Sequence, residues 1–185
     1  MTTAVLSVGS NVGDSRALLR GVVAGFAGFG ARVHAVSPVF ATAPWGGVEQ
    51  DDFLNITMIV ADAVAPIEWL RRGAALEARA QRTREVRWGP RTLDVDVISV
   101  TEGDTVVRSD DPELLLPHPR AAQRAFVLVP WLAIDADARL WVPDGVTGGR
   151  ARQPGTMRRV ADLVAELPAA DVAGVRELGW CEDRR

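Results

Sequence analysis

The sequence predicts an α+β fold, in which two helices cover one face of a mostly antiparallel sheet. Three observations support this prediction. Two segments carry apolar residues at helical spacing, and four short apolar segments are typical of strands. Turns that contain glycine or proline separate these segments. Their order along the chain, β-α-β-β-α-β, is the ferredoxin-like arrangement, and it leaves the sheet face opposite the helices open for a site.

The first half of the predicted core contains a strand, a helix and a second strand. A short apolar run predicts the first strand at Thr3–Val8. Asp14 is a plausible N-cap, because its carboxylate can accept a hydrogen bond from the first helical turn. Apolar residues then recur at helical spacing until Gly28 and Gly30 end the helix. The second strand is expected at Val33–Phe40.

The second half of the core follows a polar loop at Ala41–Asp52. Residues Phe53–Ala61 are rich in β-branched side chains, which favours a strand. Pro66 stands at the favoured first position of a helix, which we expect to end near Ala80. The last core strand is predicted at Arg91–Val100.

We expect residues 1–185 to form a single domain, because this length suits one buried core. The core spans about residues 3–100, followed by a loop-rich elaboration over 101–168 and a loosely attached tail over 169–185. Within the elaboration, helical segments are predicted at Val127–Ile134 and Met157–Leu167.

The composition points to a cytoplasmic protein. No stretch approaches the roughly 20 apolar residues that a membrane span requires, and the N-terminal residues lack the pattern of a secretory signal. Cys181 is the only cysteine and cannot form an internal disulfide, which fits a reducing compartment. We therefore expect no membrane association. A monomer is the working expectation, although none of these observations determines the oligomeric state.

The charged residues exclude several classes of function. A net charge of −3 argues against a nucleic-acid partner. The chain contains no lysine, so all 21 basic residues are arginine; this excludes P-loop nucleotide binding and Schiff-base chemistry. His34, His118 and one cysteine make a zinc site improbable. Any metal should therefore be bound by oxygen ligands.

Asp94 and Asp96 are the candidate oxygen ligands. Side chains at i and i+2 of a strand lie on the same face, so both carboxylates should point away from Leu93, Val95 and Val97. Their mutual repulsion would be relieved by a divalent cation, and magnesium is typically bound by one or two carboxylates together with water and phosphate oxygens. The alternative is an exposed strand face that carries two acidic residues.

An arginine-rich loop leads directly into this strand. Guanidinium groups pair bidentately with phosphate, and Glu85 is the only acidic residue among these arginines, which are Arg82, Arg84, Arg87 and Arg91. The alternative is a solvated loop that forms surface ion pairs. Trp88 could be either a core anchor or a wall of a ligand site.

Two further groups of residues are candidates for ligand binding. His118 lies between Pro117 and Pro119, and this stiff segment should present its ring; a hydrogen-bonded loop histidine is the alternative. Phe53 and Asn55 should share a strand face, where a ring and an amide suit a flat heteroaromatic ligand.

Residues Arg87–Ile98, with the sequence RWGPRTLDVDVI, resemble the signature of the 6-hydroxymethyl-7,8-dihydropterin pyrophosphokinase family, R-W-G-P-R-T-L-D-L-D-I. Only Val95 and Val97 depart from it, both conservatively. Further segments resemble family motifs in the same order: Val8–Asn11, Thr42–Pro44, Phe53–Asn55, Leu116–His118 and Arg124–Pro130. The similarity covers about residues 3–145.

The resemblance implies a ferredoxin-like enzyme that transfers pyrophosphate from ATP to 6-hydroxymethyl-7,8-dihydropterin, with two Mg²⁺ ions. It implies that Asp94 and Asp96 bind the metal and are catalytic together with Arg82 and Arg91. The implied ATP-binding residues are Glu77, Arg82, Arg84, Trp88, Arg91, Ile98, His118 and Arg124. The implied pterin-binding residues are Thr42, Pro44, Trp45, Phe53, Asn55, Trp88 and Phe126.

Some positions depart from the family pattern. Gln81 stands where the family often has glycine, and the shorter loop before Trp88 puts the role of Arg87 in doubt. Glu113 and Leu115 replace the arginine and threonine of some members. Two alternative functions stay open: a non-catalytic RNA-binding module, which would use aromatic and basic residues on such a sheet, and a related kinase for another heterocycle.

Overall fold

The structure is a computed structural model that describes residues 1–43, 51–80, 92–144 and 154–180. It confirms an α+β architecture. The core elements, in chain order, are β1 (Thr2–Ser10), α1 (Ser15–Gly28), β2 (Arg32–Val36), β3 (Phe40–Thr42), β4 (Phe53–Asp62), α2 (Pro66–Arg79) and β5 (Asp94–Glu102). The later elements are β6 (Thr105–Val106), β7 (Ser109–Asp111), β8 (Leu114–Leu116), a 3-10 turn (Ala121–Gln123), α3 (Ala125–Leu132), β9 (Arg139–Pro143), β10 (Gly155–Arg159), α4 (Val160–Glu166), α5 (Ala169–Ala173) and β11 (Arg176–Glu177).

The main sheet has the strand order β11-β3-β4-β1-β5-β6, and β2 also pairs with β4. Every pairing within it is antiparallel. β1 lies at the centre of the sheet, with β4 on one side and β5 on the other. α1 connects β1 to β2, and α2 connects β4 to β5; in both cases the two strands are not neighbours in the sheet. Both helices pack against the same face.

The two core helices begin and end close to the predicted residues. The Asp14 side chain accepts a hydrogen bond from the Ala17 amide at 2.9 Å, which confirms it as the N-cap of α1. Pro66 is the first residue of α2, where its missing N–H leaves no helical hydrogen bond unmade. Gly30 follows α1 with a φ of 89°, a left-handed conformation that glycine adopts without strain.

The predicted second strand is divided into β2 and β3. β2 pairs with the far half of β4, and β3 pairs with its first three residues. Between them, Ser37 continues the contact with β4, because its hydroxyl accepts the Thr57 N–H at 3.0 Å and its own N–H donates to the Thr57 carbonyl at 2.9 Å. Pro38, which has no N–H, follows this contact and interrupts the ladder.

The sheet face opposite α1 and α2 is not open along its whole length, contrary to the prediction. α3 and α4 cover one end of it and form a second apolar cluster, which includes Val5, Ile98, Leu128, Trp131 and Leu163. The residues of α3 and α4 are distant from the core strands in sequence, so no local pattern indicates that they cover the sheet. The described part of the other end carries polar side chains, and the candidate site lies there.

The predicted helix at Met157–Leu167 is only partly correct. Its first residues belong to β10, which pairs with β9, and the helix α4 begins at Val160. The expected helical segment near Val127–Ile134 is confirmed as α3, with a slightly earlier start.

The prediction of a loosely attached tail is wrong for residues 169–180. Residues Arg176 and Glu177 form β11 and extend the main sheet beside β3.

Among the described residues, no helix has the length and apolar character needed to cross a membrane.

Candidate active site

Two rows of paired residues cross the three central strands on the face opposite α1 and α2. Gly9 of β1 lies between Asn55 of β4 and Asp94 of β5. Two residues earlier on β1, Ser7 lies between Thr57 and Asp96. Because paired residues in an antiparallel sheet point to the same face, these side chains form one polar surface.

At the β4 end of this surface, Asn55 is held by a side-chain hydrogen bond. Its Nδ2 donates to the hydroxyl oxygen of Thr42 at 2.9 Å. Thr42 in turn pairs with Phe53 across β3 and β4. The sheet therefore brings Thr42, Phe53 and Asn55 together as predicted, with Phe53 partly exposed and Asn55 buried.

Gly9 keeps the middle of the first row free of a side chain. A Cβ atom at this position would lie 2.9 Å from Asn55 Oδ1 and 3.9 Å from the Phe53 ring. Glycine therefore leaves a flat strip of backbone without a side chain between the amide of Asn55 and the carboxylate of Asp94, and Gly9 itself is buried in this structure. This geometry suits a planar ligand that lies against the sheet.

The chain that follows Gly9 also fixes the entry to β4. Asn11 Nδ2 donates a hydrogen bond to the Asp51 carbonyl at 3.1 Å. Ser10 donates its hydroxyl to that of Ser15 at 2.9 Å, which ties the end of β1 to the start of α1. These contacts give the Gly9-Ser10-Asn11 sequence a structural role beside the site.

Asp94 and Asp96 project from the same face of β5, as their spacing predicted. Both are partly exposed, while Val95 and Val97 between and after them are buried in the cluster below α1 and α2. Asp96 Oδ2 accepts a hydrogen bond from Arg124 Nη1 at 3.0 Å. The positive charge of Arg124 thus compensates one of the two carboxylates.

Arg124 reaches Asp96 from the residue that precedes α3. Its guanidinium carbon lies 5.5 Å from the centre of the Phe126 ring, within the range of a cation–π contact. The carbonyl of Val127, in the first turn of α3, accepts a hydrogen bond from Thr57 Oγ1 at 3.3 Å. This contact anchors α3 to the second polar row and brings Arg124 and Phe126 to the site.

A β-bulge in β5 positions His118. Leu6 pairs with Val97 and Val5 pairs with Ser99, so Ile98 is an extra residue without a partner on β1. Its carbonyl accepts the His118 N–H at 2.8 Å. The bulge therefore attaches the His118 segment to the same strand that carries Asp96.

Burial lowers the pKa of His118 below its ordinary value, because the protonated ring would lose hydration. The carboxylate of Asp96 acts in the opposite direction, and the positive charges of Arg124 and Arg120 add to the lowering. The ring is also fixed in place, since its Nδ1 accepts the Arg120 N–H at 3.1 Å. His118 is thus a hydrogen-bonded loop histidine that lies within the electrostatic field of the site.

Two predicted nucleotide-binding residues have structural contacts. Glu77 Oε1 accepts the Val95 N–H at 2.8 Å, which ties the end of α2 to β5. The Ile98 side chain is fully buried in the second apolar cluster. Ile98 therefore presents no side-chain surface to a ligand in this structure.

Other predicted site residues lie outside the described part of the chain, namely Pro44, Trp45, Arg82, Arg84, Arg87, Trp88 and Arg91. Sequence reasoning did not predict Ser7 or Thr57, which the strand register places in one row with Asp96: Ser7 is directly opposite Asp96, and Thr57 is opposite Ser7. Both are buried polar residues among the apolar side chains of β1 and β4, and only the pairing of the strands shows that they belong to this row.

The carboxylate oxygens of Asp94 and Asp96 are donors that suit a hard divalent cation. Among the described residues, no group of three or more histidine, cysteine or acidic side chains is placed to bind a metal ion. Two adjacent carboxylates match the requirement of magnesium, which keeps several water ligands and takes others from substrate phosphates. Asp94 and Asp96 therefore fit magnesium better than a metal that needs a complete protein cage.

This chain is similar in sequence to one protein-family model and to several known proteins, which agree with one another. Residues 5–136 match the family model described as 7,8-dihydro-6-hydroxymethylpterin-pyrophosphokinase (HPPK). A protein of Mycobacterium leprae is 48% identical over 183 residues, covering 95% of this chain and 88% of that protein. One of Mycobacterium bovis is 47% identical over 182 residues, covering 95% and 89%. One of Bacillus subtilis is 38% identical over 128 residues, covering 69% and 74%. All three are named 2-amino-4-hydroxy-6-hydroxymethyldihydropteridine pyrophosphokinase.

The close approach at Gly9 gives a first prediction. In the variant Gly9→Ala the new methyl group should displace the Asn55 side chain and break its bond to Thr42, which should lower the free energy of unfolding by about 1–2 kcal/mol. Chemical denaturation measures this change. The control is Gly21→Ala in the exposed face of α1, where no atom lies within 4 Å; it should raise stability by about 0.5–1 kcal/mol. An equal, stabilising effect of both substitutions would contradict the role of Gly9.

The environment of His118 gives a second prediction. A lowered pKa in the folded state means that the unfolded chain binds more protons below about pH 6.5, so the free energy of unfolding should fall as the pH drops through that region and be fully retained above it. Denaturation at pH 7.5 and pH 5.5, without divalent cations, tests this. His118→Asn should reduce the pH dependence, and His34→Asn, which changes the only other histidine, serves as the control. The same pH dependence in His118→Asn and wild type would rule out this explanation.

Proposed function

The chain belongs to the 7,8-dihydro-6-hydroxymethylpterin-pyrophosphokinase (HPPK) family, and we propose that it transfers the β,γ-pyrophosphoryl group of ATP to 6-hydroxymethyl-7,8-dihydropterin in folate biosynthesis. In this reaction the hydroxymethyl oxygen forms a bond to the β-phosphorus. The bond between that phosphorus and the oxygen that bridges to the α-phosphate breaks, so AMP leaves with that oxygen. The hydroxyl proton is released.

One observation supports this proposal above the others: the flat strip at Gly9 and the carboxylates of Asp94 and Asp96 lie in adjacent positions on one face of the sheet. A planar acceptor bound at Gly9 and a polyphosphate bound at Asp94 and Asp96 would therefore lie next to each other. Such proximity and alignment supply much of the rate enhancement in transfers between two substrates.

We assign the pterin ring to the β4 side of the site. The Asn55 amide is fixed by Thr42 and can both donate to and accept from the edge of a heterocycle. Phe53 and Phe126 are placed on β4 and α3, from which they can contact the two faces of a ring. Further contacts are expected from residues outside the described part of the chain, namely Pro44, Trp45 and Trp88.

We assign ATP to the β5 side. Asp94 and Asp96 would hold two magnesium ions, which when bound neutralise phosphate charge and polarise the phosphoryl oxygens. Arg124 carries a guanidinium group to the same place and can exchange Asp96 for a phosphate oxygen. His118 lies near the nucleotide side, and Arg82, Arg84 and Arg91, outside the described residues, would contact the phosphates. Positioning and charge neutralisation then account for the catalysis, with Asp96 as a candidate to accept the hydroxyl proton.

The remaining features of the proposal concern the whole protein. We infer a ferredoxin-like core, supported by the antiparallel order of β3, β4, β1 and β5 with α1 and α2 on one face. We further propose a single-domain, monomeric protein of the cytoplasm that uses small-molecule substrates and does not bind nucleic acid.

The direct experiment is to incubate the protein with ATP, magnesium and 6-hydroxymethyl-7,8-dihydropterin, and to separate the nucleotides by chromatography. AMP is the expected product. ADP would instead identify an ordinary kinase, and no consumption of ATP, together with salt-dependent binding of single-stranded RNA, would favour the binding module.

The carboxylates give a third prediction. Asp94→Ala and Asp96→Ala should each abolish AMP formation, because the remaining carboxylate cannot bind both metal ions with the phosphates. Circular dichroism should show an intact fold, since both side chains are partly exposed. The control is Asp104→Ala, in the exposed turn after β5, which should retain wild-type activity. Near-wild-type turnover in Asp94→Ala or Asp96→Ala would refute the metal assignment.

The ion pair between Arg124 and Asp96 gives a fourth prediction. Replacing Arg124 by glutamine removes a cation from the metal site, so Mn²⁺ should bind the nucleotide-free protein about tenfold more tightly, as the loss of a close charge repulsion on the order of 1–4 kcal/mol requires. At the same time AMP formation should fall, because a phosphate contact is lost. Calorimetry or paramagnetic resonance measures the Mn²⁺ affinity.

The matched control is Arg158→Gln, which breaks the exposed ion pair of Arg158 with Glu166. Its Mn²⁺ affinity should equal that of the wild type. Unchanged Mn²⁺ binding in Arg124→Gln would show that Arg124 does not oppose the metal.

A further inference from the structure

Residues Val175–Trp180, which we call the C-terminal strap, lie along the outer edge of β3. Within the strap, β11 pairs antiparallel with β3, with Arg176 opposite Ala41 and Glu177 opposite Phe40. The Leu178 N–H then donates to the Val39 carbonyl at 2.8 Å. The strap therefore forms the outermost strand of the main sheet. It lies outside residues 5–136, which match the family model.

Side chains attach the strap at three further points. Trp180 Nε1 donates to the Ser37 carbonyl at 2.9 Å, and its ring packs against the apolar cluster below α1 and α2. Arg16 Nη1 donates to the Gly179 carbonyl at 2.9 Å. Arg176 Nη2 forms an ion pair with Asp52 Oδ2 at 2.7 Å. The strap thus holds both β3 and the residue immediately before β4.

These attachments act on the strand that carries Thr42. β3 has only three residues and, of the strands that the structure describes, would pair with β4 alone without the strap. So short an edge strand frays readily, because few hydrogen bonds oppose its opening. Thr42 supplies the hydroxyl that fixes the Asn55 amide, and Asp52 adjoins Phe53. A contact that holds β3 and Asp52 therefore fixes three side chains of the site without touching a ligand there.

We propose that the C-terminal strap is a positioning element for the pterin half of the site. This inference rests on the proposed function for the identity of the ligand. The described bonds of the strap reach β3, Asp52, Arg16 and Ser37, all on the β4 side of the sheet or at the start of α1. Asp94, Asp96 and Arg124 are positioned by β5 and α3 instead. Loss of the strap should therefore weaken pterin binding and leave ATP binding unchanged.

The test compares the wild type with a chain that ends at Gly174, which retains α5, and with the full-length double variant Arg176→Ala/Trp180→Ala. If the competent arrangement of β3 falls to about a tenth of the molecules, the KM for the pterin should rise about tenfold. The KM for ATP and kcat should stay within about twofold of the wild type. Arg158→Ala, which breaks a comparable exposed ion pair at Glu166, is the matched control and should leave all three parameters unchanged.

Hydrogen exchange provides a readout that does not depend on the reaction. Backbone amides of Phe40–Thr42 and Phe53–Asn55 should exchange faster in both strap variants, while those of α2 and β5 keep their wild-type rates. The charge-reversed pair Arg176→Asp/Asp52→Arg should restore part of the slow exchange that Arg176→Asp alone loses.

Three outcomes would overturn the inference: unchanged exchange in β3, an unchanged KM for the pterin, or equal rises in both KM values, which would show a general loss of structure. If the wild type forms no AMP, the proposed function fails separately, and the exchange experiment still decides whether the strap holds β3.

Discussion

β1 pairs along nearly its whole length with β4 on one side and β5 on the other, and this double register determines where the site residues of the three central strands lie. It aligns Gly9 with Asn55 and Asp94, and Ser7 with Thr57 and Asp96. Because side chains alternate with a period of two, a slip of one residue in β5 would turn both aspartates toward α1 and α2. Val95 and Val97, which are buried between and after the aspartates, oppose such a slip, since it would expose them to solvent. The apolar face of β5 thus fixes the direction of its polar face.

The bulge at Ile98 makes this arrangement compatible with a second packed layer. Before the bulge, the face away from α1 and α2 carries Asp94 and Asp96; at the bulge it carries Ile98, which packs with α3 and α4. Site side chains and core side chains therefore follow one another along the same face of β5. The carbonyl of the extra residue also binds the His118 segment. One inserted residue consequently joins the sheet, the α3 layer and the loop beside Asp96.

Features set by local sequence were predicted well. The first residues of α1 and α2 follow from Asp14 and Pro66, whose effects act within one helical turn. The common direction of Asp94 and Asp96 follows from strand periodicity. Features that depend on contacts between residues distant in sequence were not predicted. The contact of Ser37 with Thr57 holds the chain against β4 at the break between β2 and β3, and α4 starts at Val160 because the residues before it pair with β9. The attachment of Trp180 to Ser37 spans 143 residues, and no local pattern shows it.

The contact between Arg124 and Asp96 also bears on how two ligands influence each other. A cation that binds Asp96 must release Arg124, and a phosphate that binds Arg124 must release Asp96. Each ligand therefore removes an interaction that the other would have to break, so the cost of separating the pair is met once for both. By linkage, each should raise the affinity for the other by the same factor. In the absence of both ligands the two side chains satisfy each other.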